Sequence, residues 1–101
     1  MQLGITSGAP ILVAPPSDAK DPNGAKAPGK PGQAEGFKDS KGGESWVPNP
    51  NPSKGGGKNG WLDDKGNVWV PTGQGGNAHG GPHWDVQKPG GGYENVRPVK
   101  P

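Results

Sequence analysis

The 101-residue chain has no cysteine, which excludes a disulfide framework, a thiolate metal site and a cysteine nucleophile. It is also poor in aliphatics. Leu, Ile, Val and Phe together number thirteen, below the level that fills an ordinary globular core. Long apolar runs are absent: Ile11-Leu12-Val13 is far too short for a signal peptide or a membrane span, so no stable membrane association is expected. Helix signals are nearly missing, because 21 glycines and 14 prolines interrupt the chain throughout. A dominant charge is lacking too. Eleven basic and nine acidic residues leave a net charge of +2, and the lysines are spread rather than clustered. Any nucleic-acid affinity is therefore expected to be modest and salt-sensitive.

What the chain does have is tryptophan. Trp46, Trp61, Trp69 and Trp84 all fall in the second half, and each can bury roughly 200 Å² of surface. They supply the core that the aliphatics do not. A domain this small is expected to hold only about 3–5 kcal/mol of stability.

Turn signals divide the chain. From Ala14 to about Gly36 it is rich in Pro, Gly, Ala and Lys, and residues 1–26 read as a flexible tether ahead of a domain spanning 27–101. Met1 to Val13 show no periodic pattern that defines an element. Between Gly36 and Pro50, Phe37 and Trp46 suggest a loop pinned at its ends, and Asn49 to Lys58 reads as a mobile, low-complexity loop. Trp61 to Val70 places apolar residues on both sides of an Asp/Gly/Asn turn, which predicts a β-hairpin ended by Pro71. Thr72 to Ala78 is a glycine-rich loop, and Tyr93-Glu94-Asn95-Val96 predicts a last short strand. The expected fold is mainly β: a small single domain of three or four short strands with long Gly/Pro-rich loops.

Both histidines lie within His79-Gly80-Gly81-Pro82-His83-Trp84-Asp85-Val86-Gln87. Although His79 and His83 are four apart, Gly80, Gly81 and Pro82 exclude a shared helical face. A loop entering a strand fits instead, with His83, Asp85 and Gln87 on one side and Trp84 and Val86 on the other. His83 and Asp85 would then stand about 7 Å apart along one face, a spacing that lets the carboxylate act on the imidazole. RNA cleavage by transphosphorylation needs a base for the 2′-hydroxyl, an acid for the 5′-oxygen and donors beside the phosphate. Two histidines with Gln87 and a loop cation such as Lys30 could meet that need with no metal or other cofactor. Trp46 and Trp84, next to loops, and Lys38 and Lys41 are the candidates for substrate contact. Other readings compete. The histidines could be structural, His79, His83 and Asp85 could ligate a divalent ion in a deoxyribonuclease, or the tryptophans could serve a non-enzymatic binding module.

Several stretches resemble one family. These are Ala27-Pro28-Gly29-Lys30-Pro31, Gly36-Phe37 with Gly42-Gly43 and Trp46, Gly60-Trp61, Gly66 through Gly73, Ala78 through Gln87, Tyr93 and Asn95-Val96. Together they are similar to the type 37 polymorphic toxin domain, found at the C-termini of large bacterial secreted or contact-delivered proteins. The resemblance covers most of residues 27–97. It implies a toxin exported as part of a larger protein, acting in the target-cell cytoplasm and neutralised in the producer by a cognate immunity protein. It also implies a nuclease with RNA as the favoured substrate and with His79, His83, Asp85 and Gln87 as the site, Lys30 joining them more remotely.

Overall fold

Five short strands follow one another: β1 (Trp46–Pro48), β2 (Asn59–Leu62), β3 (Val68–Pro71), β4 (Trp84–Gln87) and β5 (Tyr93–Val96). In the computed structural model, which describes residues 14–51, 59–75 and 78–99, they pair in that order as one antiparallel sheet. The only helical element among the described residues is a single 3-10 turn, Gln33–Glu35. The fold is thus mainly β, with five strands rather than the expected three or four. The strand beyond expectation is β1. Three residues ending in a proline carry almost no strand signal of their own, and what aligns Trp46 is its pairing with Trp61.

The hairpin read from Trp61 to Val70 is present as β2 and β3, and its turn is built on Asp63. Oδ1 of Asp63 accepts the backbone N–H groups of Lys65 at 2.9 Å and Asn67 at 2.8 Å. Oδ2 accepts the Asn67 amide at 3.0 Å and the Trp69 indole N–H at 2.9 Å. Burial pushes the Asp63 carboxyl up, but the bonds from Trp69, Asn67 and Lys65 outweigh it and hold the group below its ordinary value. Gly60 in β2 meets a tight approach, since a Cβ there would lie 2.4 Å from the Trp69 carbonyl oxygen.

Register sorts the side chains onto two faces. Trp46 stands opposite Trp61, Trp61 opposite Trp69, and Trp69 opposite Val86, so these four share one face with Trp84. Trp46 and Trp61 meet edge to face at 5.1 Å, Trp69 and Trp84 at 5.9 Å, and Phe37 closes on Trp69 at 5.3 Å. Each such pair contributes about 0.5–1.5 kcal/mol beyond its buried area. Ala19 and Phe37 complete this core, so the packed unit reaches back to Ala19. The segment before the sheet is anchored twice more. The Trp84 indole N–H donates to the Gly29 carbonyl at 2.8 Å, and Lys30 Nζ lies 5.4 Å from the Trp61 ring and 5.9 Å from the Phe37 ring. Most of the low-complexity loop expected from Asn49 to Lys58, residues 52–58, lies outside the described residues, as do Met1 to Val13 and residues 76–77.

Candidate active site

Strand β4 carries the polar row. Asp85 lies between Val70 on β3 and Asn95 on β5, and Gln87 lies between Val68 and Tyr93, all on the face opposite the tryptophans. His83 precedes the strand by one residue and is fixed to it by two bonds. Its N–H donates to Thr72 Oγ1 at 3.1 Å, and its carbonyl accepts the Thr72 N–H at 3.0 Å. His83, Asp85 and Gln87 therefore alternate onto one side as the sequence pattern suggested.

His83 Nε2 lies 3.3 Å from Asp85 Oδ1, with only 6 % and 10 % of the two side chains exposed. On the other side of the ring, Nδ1 is 3.1 Å from the Gly81 carbonyl oxygen. A carbonyl can only accept, so Nδ1 carries a hydrogen. In the neutral ring Nε2 is then an acceptor, so a hydrogen bond between it and the Asp85 carboxyl takes one further proton, as imidazolium facing carboxylate or as imidazole facing carboxylic acid. Burial raises the Asp85 pKa, while the His83 charge and hydrogen bond pull it down less strongly. Gln87 is fully buried; its Oε1 accepts from Asn51 Nδ2 at 3.4 Å, and its Nε2 has no partner among the described residues.

His79 sits on the turn before the strand, where the Gly81 N–H donates to the Ala78 carbonyl at 2.7 Å. Gly80 and Gly81 take positive φ values of 78° and 109°, which permits the reversal. The His79 side chain is exposed, and its backbone carbonyl accepts from Arg97 Nη2 at 2.9 Å.

The remaining candidates lie elsewhere. Lys30 is on the tryptophan face, bonded to Glu44 at 2.9 Å and Asp39 at 3.0 Å, so the sheet stands between it and Asp85. Burial pulls the Lys30 ammonium down, but Glu44 and Asp39 together hold it above its ordinary value. Trp46 and Trp84 are buried in the core at 7 % and 2 % exposure, while Lys38 and Lys41 are exposed on the segment before β1.

The family model described as Bacterial toxin 37 matches residues 25–100. The chain belongs to that family. Neither a curated protein nor a solved structure matches it. The match takes in every candidate residue of this toxin domain, from Lys30 to Gln87.

Arg97 was not singled out by the sequence pattern, yet it organises the toxin's histidine loop. Its Nη1 donates to the carbonyls of Gly80 and Gly81, both at 3.1 Å, in addition to the Nη2 bond to His79. One available signal was its uniqueness: it is the single arginine of the chain, placed just after the last strand signal. As possible metal donors, His83 Nε2 and Asp85 Oδ1 make a pair. No group of three or more His, Cys, Asp or Glu converges among the described residues.

Proposed function

We propose that this bacterial toxin domain is a ribonuclease that cleaves RNA by metal-independent transphosphorylation, with the His83–Asp85 pair as its proton store. The observation that carries this reading is the buried 3.3 Å contact between His83 Nε2 and Asp85 Oδ1, a distance at which the two atoms can share a proton. In its proton-poor form the pair takes the 2′-hydroxyl proton as the 2′-oxygen attacks phosphorus; in its proton-rich form it protonates the departing 5′-oxygen. Exposed His79 takes the opposite role in the same turnover. The products are a 2′,3′-cyclic phosphate and a 5′-hydroxyl. Gln87 stands two residues along the same row, with its Nε2 donors unused among the described residues and so free to serve a substrate oxygen. Family membership adds delivery within a larger exported protein and neutralisation by a cognate immunity protein.

The test is incubation of the purified domain with total RNA in chelator. Cyclic phosphate ends are expected, and His83→Ala and His79→Ala should each lose about 10²–10⁴-fold in rate. Intact RNA beside folded wild-type protein overturns the reading.

The burial of the pair favours one rival, in which His83, Asp85 and Gln87 are a polar strut holding the loop to the sheet. His83→Asn separates the two. It keeps a donor for the Gly81 carbonyl but cannot cycle a proton at neutral pH, so retained toxicity in a folded His83→Asn protein supports the strut.

A further inference from the structure

A cavity of about 610 Å³ opens beside the histidine loop, lined by Gly80, Gly81, Pro82 and Arg97 together with Gln74 and Asn23. Its size falls within the ~300–1,000 Å³ usual for small-molecule sites. Three features point to its occupant. Arg97 is the only charged residue among those lining it, so the cavity favours an anion. Of the five guanidinium N–H groups, the carbonyls of His79, Gly80 and Gly81 engage three, which among the described residues leaves two for a ligand and holds the fork in one orientation. Further proline rings, Pro28 and Pro98, give the walls rigid apolar surfaces without N–H groups, suited to the flat face of a base.

The cavity also adjoins His83. The Gly81 carbonyl that receives Arg97 Nη1 at 3.1 Å is the one that receives His83 Nδ1 at 3.1 Å. We infer that this cavity is a nucleotide subsite, in which Arg97 binds a phosphate of the RNA strand and the proline walls hold the adjoining base. This rests on the ribonuclease reading above for its role in turnover, but binding can be measured without turnover.

The experiment titrates the isotope-labelled full chain with adenosine 3′-monophosphate, adenosine or inorganic phosphate while recording amide NMR shifts. The nucleotide is expected to move Gly80, Gly81 and Arg97 more strongly than either fragment does. Arg97→Gln should weaken nucleotide binding about 10-fold. Because that change could release the histidine loop, Gln74→Glu is the second variant. Gln74 is exposed and its amide donates to the Asn23 carbonyl, so Gln74→Leu, which loses that bond without adding charge, is the control. The carboxylate opposes phosphate while leaving the three-carbonyl clamp intact, and binding about 5-fold weaker than in Gln74→Leu is expected. No shifts at these residues, equal shifts from inorganic phosphate alone, or undiminished binding in Gln74→Glu each overturn the subsite. Nucleotide binding with no RNA cleavage supports the subsite and rejects the ribonuclease reading. RNA cleavage with KM unchanged in both variants does the reverse.

Discussion

The indole N–H of Trp69 donates to Oδ2 of Asp63 at 2.9 Å, so a core tryptophan on β3 is tied to the turn that begins its own strand. The same carboxylate closes the turn through Lys65 and Asn67. Core and hairpin are therefore one unit, and Asp63 is where they join.

Asp63→Ala is expected to leave the Trp69 indole and the turn amides without their acceptor. The loss should be about 3 kcal/mol, most of what a domain this size holds. Urea denaturation followed by tryptophan fluorescence measures it. A loss under about 0.5 kcal/mol, the level of an ordinary surface substitution, would show that the turn forms without its carboxylate.

Stability should depend on pH through two carboxyls of opposite sign. The Asp63 pKa is lowered by folding, so its contribution is complete above the ordinary value of 3.8 and is lost as pH falls through the folded value. The Asp85 pKa is raised, so its contribution is complete below 3.8 and is lost as pH rises through the folded value. Wild type should therefore lose ground to Asp63→Asn on acidification, and to Asp85→Asn on raising the pH from about 4 towards 7. Urea midpoints of the three proteins, followed from pH 7 down to below 3.8, check both slopes, and parallel profiles would contradict them.

Lys30 tests the division between the two faces. Its ammonium bridges Asp39 and Glu44, and Glu44 also holds Lys20 at 2.7 Å. Lys30→Met should cost about 1–2 kcal/mol, a figure kept small because both its partners reach solvent. Toxicity per folded molecule should be unchanged, since the sheet stands between Lys30 and Asp85. A folded Lys30→Met protein without toxicity would restore Lys30 to the chemistry.

Local pattern made much of this architecture legible. The Asp/Gly/Asn turn between apolar pairs announced the β2–β3 hairpin, and alternation after Pro82 placed His83, Asp85 and Gln87 on one side of a strand. Strand β1 escaped because three residues cannot display a period, and its partner Trp61 lies fifteen positions away. Arg97 escaped for a related reason: its carbonyl partners are backbone atoms 16 to 18 residues upstream, and backbone carbonyls leave no mark in a sequence.

The sequence by itself determined that the core would be tryptophan, that helix would be nearly absent and that both histidines would lie on one nine-residue segment. These follow from composition and from residue types that permit or forbid a backbone shape. Only the tertiary structure decided that Lys30 clasps Asp39 and Glu44 on the far face, that His83 meets Asp85 at 3.3 Å, and that one carbonyl serves both His83 and Arg97. Those outcomes depend on strand register and on which loop covers which face, and both are set by packing between residues distant in the chain.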